Sequence, residues 1–223
     1  MNRERAAVVE RGDRKSSSIG EEIANSVTHG VGFLLGVVAL VLVVVLSALH
    51  GTALHVVSGA IYGSTLILLY SASTLYHAFP PGRAKRVFRV LDHSAIFLLI
   101  AGTYTPFTLV TLGGSWGWSL FGVIWGLAVA GVVLETVAGS RLRVLQVILY
   151  LAMGWMAVVA GRPLLGALDT VGLVLLFAGG LCYTLGVVFY VWRRLPFHHA
   201  VWHVFVLGGS ACHFFAVLLS VIP

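Results

Sequence analysis

Long apolar runs separated by short polar or charged segments make up most of the chain. Crossing the hydrocarbon core of a bilayer takes about 20 residues of helix, and seven runs are candidates: 29–49, 55–78, 91–112, 117–137, 143–162, 168–192 and 200–222. No segment shows the alternating pattern of a transmembrane β-barrel. Because backbone groups in lipid must be satisfied within their own helix, the pattern predicts an all-α, seven-transmembrane helical bundle over residues 21–223.

Glycines that recur four residues apart indicate where these helices approach closely. Three such pairs lie within predicted spans: Gly32 and Gly36, Gly59 and Gly63, and Gly122 and Gly126. A surface without side chains allows two backbones to come together in lipid. We therefore expect all three pairs to lie at contacts between helices.

The segment before the first apolar run differs from the rest of the chain. Five of the eight acidic and five of the fourteen basic residues lie within the first twenty-two positions, without apolar periodicity. Such a segment cannot bury enough apolar surface to fold by itself. Residues 1–20 are expected to be a flexible cytoplasmic tail rather than a signal peptide, because the apolar run begins too late and is too long.

The composition indicates a membrane protein and excludes a soluble domain. Of the 223 residues, 59% are hydrophobic and 10% are charged, whereas soluble domains carry about 25% charged residues. Cys182 and Cys212 lie inside apolar runs, which favours small buried residues over a disulfide. We expect a multi-pass protein of the cell membrane with membrane lipids as partners, and leave homo-oligomer formation open.

The basic residues give the predicted orientation. Thirteen of the fourteen fall on one side of the bundle, in four groups: Arg3, Arg5, Arg11, Arg14 and Lys15; Arg83, Lys85, Arg86 and Arg89; Arg141 and Arg143; Arg193 and Arg194. Only Arg162 falls on the other side. The positive-inside rule therefore predicts a cytoplasmic N-terminus and an outer C-terminus. Since the net charge of +6 is divided among short loops, nucleic acid is not an expected partner.

Several polar residues share the predicted cytoplasmic end of different helices. They are Glu22, Asn25 and His29 near the first helix, Ser73 and His77 on the second, Asp92 on the third, and His199 and His203 on the seventh. Polar groups are costly within a membrane, and independent structural residues have no reason to share one depth. Their convergence predicts a functional site at this face.

Helical spacing turns part of this group into a candidate zinc site. His199 and His203 are four residues apart and therefore lie on one face of a helix, as do Ser73 and His77. Two histidines from one helix and one from another suit zinc, with a fourth position open to water. Asp92 would accept a hydrogen bond from that water, and Ser73 would orient the site. Spacing alone leaves a purely structural hydrogen-bond network as the alternative.

Other polar residues are expected to have structural roles. His213 lies ten residues beyond His203, about 15 Å deeper in a helix, and is predicted to pack or to form a hydrogen bond. Glu135 is predicted to pair with Arg141 or Arg143. Four histidines near helix ends are expected to be solvated or to lie at the interface: His50, His55, His93 and His198.

Four segments together resemble the hemolysin III family of bacterial membrane proteins, which belongs with the progestin and adiponectin receptor superfamily. They are EEIANSVTHG, SASTLYH, DHSAIFLLIAGTYTPF and HHAVWH, in this order. The resemblance covers nearly the whole chain after the tail. It implies a seven-helix fold with a zinc ion near the cytoplasmic face and the ligands His77, His199 and His203.

The resemblance also implies roles for other residues. Asp92 matches an aspartate that contacts the zinc through water, and Ser73 matches the serine of a Ser-x-x-x-His motif. Glu22, Asn25 and His29 match the family's first motif. Receptor members tend to have tyrosine after the aspartate, whereas this chain has His93, a fourth nitrogen that could compete for the open position.

The expected function is hydrolysis. Related branches of the superfamily include zinc-dependent lipid amidases of the ceramidase type, and zinc held by three histidines activates water and polarises a carbonyl. The predicted reaction is cleavage of a lipid amide or ester in the inner leaflet, with Asp92 as general base and Ser73 supporting it. The alternative is a non-enzymatic protein, cytolysin-like or active in membrane homeostasis, in which zinc only braces the helices.

Overall fold

The computed structural model describes residues 18–223, with only the backbone of Ser140. The described chain forms eight α-helices, numbered in chain order: α1 Ile19–His50, α2 Ala53–Ala78, α3 Arg83–Pro106, α4 Gly114–Ala138, α5 Arg143–Gly154, α6 Gly161–Ala167, α7 Thr170–Val191 and α8 His198–Ser220. Six helical segments are long and apolar enough to span a membrane, and the count is seven if the bent pair of α5 and α6 is one broken span. The all-α architecture is confirmed, while residues 1–17 of the predicted tail lie outside the described part.

The first helix begins ten residues before the predicted apolar run. Oγ of Ser18 accepts a hydrogen bond from the backbone N of Glu21 at 3.2 Å, and Oε2 of Glu21 accepts one from the backbone N of Ser18 at 2.8 Å. This capping box satisfies N–H groups that have no partner within a helix. The polar residues Asn25 and His29 therefore belong to α1, on its buried side.

The fifth predicted span, 143–162, is not one helix. A 3₁₀ turn separates α5 from α6, and the two segments of this span are inclined by 54°. Pro163 has no N–H to donate, so it fits only in the first turn of a new helix. The hydroxyl of Tyr104 fills the break, where it donates to the carbonyl of Gly154 at 2.8 Å and accepts from the backbone N of Ala157 at 2.7 Å.

The predicted glycine contacts are found between α1 and α2 but not on α4. A Cβ atom on Gly63 would lie 2.8 Å from the Cα of Leu40, so α1 and α2 can approach only because this side chain is absent. At Gly122 and Gly126 a Cβ atom would meet nothing within 4 Å. The prediction for this pair is wrong. The four-residue spacing shows that both glycines lie on one face of α4, but it does not determine whether that face contacts another helix.

The helix α3 is the most enclosed of the spans. Of its most apolar stretch 61% is buried, against 17% for α7. The N-terminal ends of α1, α3 and α8 and the C-terminal end of α2 share one end of the bundle, the predicted cytoplasmic one. This arrangement brings the polar residues of the four helices together around the start of α3.

Candidate metal centre

Three histidines from α2 and α8 meet at this end of the bundle. His77 lies in the last turn of α2, and His199 and His203 occupy the first two turns of α8. One ring nitrogen from each residue lies within 4.8 Å of the other two. The structure thus brings together the three residues that were predicted as metal ligands.

The orientation of the His77 ring is set by Glu22 of α1. Nδ1 of His77 lies 3.0 Å from Oε2 of Glu22, and because an ionised carboxylate only accepts hydrogen bonds, this nitrogen carries the hydrogen. Nε2 of His77 is buried and has no hydrogen-bond partner among the described residues. A buried nitrogen whose lone pair accepts no hydrogen bond is free to bind a metal ion.

The His203 ring is held in the same way by the backbone of α1. Its Nδ1 lies 3.1 Å from the carbonyl oxygen of Asn25 and 3.2 Å from Oγ1 of Thr28. Since a carbonyl can only accept, Nδ1 is the donor, which leaves Nε2 as the nitrogen able to bind a metal. Metal-ligating histidines commonly donate their second N–H to a carboxylate or a carbonyl. Two of the three histidines meet that condition.

The first motif therefore has a structural role that sequence reasoning did not find. Glu22 and Asn25 lie one turn apart on α1, and each supplies an oxygen to a histidine of the centre. The spacing of Glu22, Asn25 and His29 at three and four residues was a usable signal, because it places all three on one helical face. Their partners on α2 and α8 depend on tertiary packing.

His29 supports the centre without belonging to the group of three. Its ring stacks on that of His203 with centroids 3.5 Å apart and planes inclined by 11°, and it contacts the edge of Tyr70. Neither ring nitrogen of His29 has a hydrogen-bond partner among the described residues. The lone pair of an imidazole nitrogen lies in the plane of its ring. Because the two rings lie in nearly parallel planes, the lone pairs of His29 and His203 do not converge on one ion.

An elongated cavity adjoins the centre. Its volume is about 130 Å³. Its lining residues on α8 extend from His199 and His203 to His213, which lies about three turns further along the helix than His203. Asp92 lines the same cavity, and most of the remaining wall is apolar or aromatic. The side chains of Asp92 and Ser73 are both buried.

Two predicted structural roles need correction. Glu135 does not pair with Arg141 or Arg143. Its carboxylate lies 3.2 Å from Nδ1 of His93 and accepts a hydrogen bond from Nε2 of Gln146 at 2.6 Å. His93 accordingly lies inside the bundle, where its ring lines the cavity, rather than at the interface. The hydrophobic pattern does not reveal either contact, because Glu135, His93 and Gln146 lie on three different helices.

The prediction for His213 agrees with the structure. Its Nε2 lies 3.1 Å from the carbonyl oxygen of Leu176 on α7. The ring therefore joins α7 to α8 at a depth well below the three histidines. Among the described residues, no further group of three metal-ligating side chains accompanies the one at His77, His199 and His203.

The donor set fits a zinc ion. Three neutral imidazole nitrogens with one side open are a common ligand set for catalytic zinc, and the buried, unpartnered Nε2 of His77 provides one of them. Soft thiolate ligands are absent from the group, and hard cations such as Mg²⁺ prefer oxygen ligands. Imidazole ligands suit zinc, copper, iron and nickel, so the three histidines fit a zinc ion as one of these transition metals.

The fold and the centre define a multi-pass helical membrane protein with a three-histidine group at one end of its bundle. The family model described as "Haemolysin-III related" matches residues 17–214, and the chain belongs to the hemolysin III family. The resemblance stated from its motifs is thereby confirmed.

Three relatives illustrate the family. The chain is 45% identical over 216 residues to "Hemolysin-3" of Bacillus cereus, covering 97% of this chain and 99% of the relative. It is 47% identical over 201 residues to "Hemolysin-3 homolog" of Bacillus subtilis (strain 168), covering 90% and 94%. It is also 30% identical over 203 residues to the human "Monocyte to macrophage differentiation factor", covering 88% and 83%. This human match is consistent with the wider progestin and adiponectin receptor superfamily.

Proposed function

We propose that this protein binds zinc at His77, His199 and His203 and hydrolyses an amide or ester bond of a membrane lipid. The observation that carries the proposal is the position of the three histidine nitrogens, within 4.8 Å of one another, at the end of a cavity that is also lined by Asp92. A metal centre, a buried carboxylate and an apolar cavity are the parts that such a reaction needs.

Zinc held in this way would polarise the carbonyl of the substrate and activate a water molecule for attack. His77, His199 and His203 would hold the ion, and Glu22 would keep the His77 ring in place through its 3.0 Å contact. Asp92 would take a proton as the water oxygen bonds to the carbonyl carbon, and return a proton to the leaving amine or alcohol as its bond to that carbon breaks. The products are a carboxylic acid and an amine or alcohol.

The cavity supplies a place for the acyl chain. Most of its lining residues belong to α3, α5, α7 and α8, and most of them are aliphatic or aromatic. Among the described residues, Arg143 is the one Arg or Lys that lines it, and the Nε atom of Arg143 has no hydrogen-bond partner. A guanidinium on the wall of this cavity would attract the carboxylate that hydrolysis releases.

The deciding experiment compares Asp92→Asn with the three histidine variants. An amide cannot take a proton, so Asp92→Asn should keep zinc and lose most lipid turnover, whereas His77→Ala, His199→Ala and His203→Ala should lose both. The measurements are zinc content, thermal midpoint and product release from ceramide-like and phospholipid substrates. Full turnover by an Asp92→Asn protein that contains zinc would exclude Asp92 as the general base.

A structural zinc site is the second candidate. It is supported by the position of the three histidines, which would join α2 to α8 through one ion, as bound metal stabilises the folded state. In that case Asp92→Asn should be nearly silent, while each histidine variant should lower the thermal midpoint. This reading also suits a cytolysin-like or membrane-homeostasis role, in line with the name of the Bacillus cereus relative.

A further inference from the structure

Lys85 makes three contacts with the segment that carries His77 and its partner Glu22. Its Nζ donates to Oε2 of Glu22 at 2.9 Å and to the carbonyl oxygen of Phe79 at 3.2 Å, and it lies 5.0 Å from the centre of the Tyr76 ring. Phe79 caps the C-terminal end of α2. One ammonium group therefore joins the start of α3, the end of α2 and the first turn of α1.

The position of Lys85 in α3 makes this arrangement informative. Lys85 lies in the first turn of α3, which contains no acidic residue. A cation there is disfavoured by the helix dipole, so the stabilising partner has to come from another helix. Glu22 is that partner. Its Oε2 atom accepts from Lys85 and also faces Nδ1 of His77 at 3.0 Å.

The same pair is more exposed to solvent than the histidine that it contacts. The side chains of Lys85 and Glu22 are 18% and 25% exposed, whereas that of His77 is 4% exposed. Both members of the ion pair are therefore more exposed than His77, and Glu22 contacts both Lys85 and His77. The ion pair is within reach of salt, while the buried histidine is not.

We propose that Lys85 is a positioning residue for the metal centre: it holds Glu22 against His77 and thereby raises metal affinity and slows metal release on the aqueous side. The inference rests on the proposed binding of zinc. It does not depend on hydrolysis, because a structural zinc would be held by the same contacts.

The test measures zinc affinity and release in purified full-length protein, using competition with a metal chelator. Lys85→Met keeps the length of the side chain and removes the charge. Because loss of a group that orients a ligand costs about 10–100-fold in metal affinity, and Lys85 acts one contact further out at a partly exposed site, we expect a loss of about three- to tenfold. Lys85→Arg should restore most of the affinity. Arg86→Met, the same change at the exposed neighbouring position, should leave it unaltered.

Salt provides a second readout that a general loss of stability would not produce. Salt screens exposed ion pairs, with a Debye length that falls from about 30 Å at 0.01 M to about 3 Å at 1 M. Zinc release from the wild-type protein should therefore accelerate with salt, and release from Lys85→Met should be fast and nearly independent of salt.

The outcomes separate the two proposals. Wild-type protein without zinc would overturn the proposed metal centre itself. Zinc-loaded wild-type protein whose affinity and salt dependence are matched by Lys85→Met would overturn the role of Lys85 alone. If Lys85→Met does not fold, the salt dependence of release from wild type and Lys85→Arg still decides, since release that is independent of salt in both contradicts the proposal.

Discussion

His29 and His203 stack face to face, with ring centroids 3.5 Å apart and an angle of 11° between their planes. Both rings are buried, and they belong to helices α1 and α8. The contact restrains the ring of His203 on one side, while the carbonyl of Asn25 holds its Nδ1. A proposed ligand is therefore fixed both by a hydrogen bond and by packing.

This relationship predicts that His29 acts through its ring and not through its nitrogens. His29→Phe should keep zinc with an affinity within about threefold of wild type, because a phenyl ring preserves the stacking. His29→Ala should weaken zinc binding by about tenfold, the lower end of what loss of a supporting group costs. Chelator competition on the two purified variants measures both. Complete loss of zinc from His29→Phe would mean that His29 is itself a ligand.

The second prediction concerns the ligand set along α8. The wild-type protein should bind about one zinc ion per chain. His203→Ala should lose this zinc, because two imidazoles do not complete a three-histidine site. His213→Ala should retain zinc, since Nε2 of His213 faces the carbonyl of Leu176 and not the centre. Zinc content after purification measures both variants. Equal loss of zinc from the two variants would contradict His77, His199 and His203 as the ligand set.

The residues that sequence reasoning found and missed differ in kind. His199 and His203 share a helix, and their four-residue spacing fixes their common face in advance. The contact of Glu22 with His77 joins two helices, and its existence depends on α1 starting at Ile19 rather than at 29. Hydropathy cannot supply that boundary, because a capping box and inward-facing polar residues extend the helix beyond its apolar run.

Two wrong expectations have a related cause. Glu135 was expected to meet the nearest arginines in sequence, but the packing of α3, α4 and α5 brings His93 and Gln146 to it instead. Pro163 directly follows the fifth predicted span, 143–162, and a proline at such a position is a sequence signal for a break in a helical run. Periodicity and composition are sufficient for the class of fold and the depth of the site. The direction of each side chain follows from helix rotation, which those signals leave undetermined.

The third prediction uses a matched pair of glycines. Gly63→Ala should destabilise the protein by about 1–3 kcal/mol, the usual cost of overpacking, because its Cβ would lie 2.8 Å from the Cα of Leu40. Gly126→Ala should be neutral or slightly stabilising, since its Cβ would meet nothing within 4 Å and alanine favours helix. Thermal midpoints in one detergent compare the two. Equal destabilisation would indicate a partner for α4 at the strip around Gly126.

The fourth prediction is the orientation of the bundle. With thirteen of fourteen basic residues on one side, the N-terminus should be cytoplasmic and the C-terminus outside. Fusions after Pro223 to a reporter that is active only outside the cytoplasm should be active, and fusions to one that is active only in the cytoplasm should be inactive. Moving the first reporter to the loop between α2 and α3 provides the control. The opposite pattern would reverse the topology.

The last prediction concerns Asp169, which caps α7 at the opposite end of the bundle from the three histidines. Its Oδ1 atom accepts hydrogen bonds from Oγ of Ser220 at 2.6 Å and from the backbone N of Gly172 at 2.9 Å. These bonds, that of Ser220 first, hold the pKa of the Asp169 carboxyl below its ordinary value. A carboxyl whose pKa is lower in the folded state stabilises the protein above its unfolded pKa, about 3.9, and loses that contribution as the pH falls through its folded pKa.

The loss of this cap should therefore depend on pH. Asp169→Ala should lower the thermal midpoint at pH 6, because α7 loses its N-cap and the tie to the end of α8. The difference from wild type should persist down to about pH 4 and shrink below it, where the wild-type carboxyl becomes protonated. Asp169→Asn keeps an oxygen that can cap the helix but cannot ionise, so its midpoint should lie between the two at pH 6 and its difference from Asp169→Ala should not vary with pH. A wild-type advantage over Asp169→Ala that stays constant to pH 3 would show that the charge of Asp169 contributes nothing to stability.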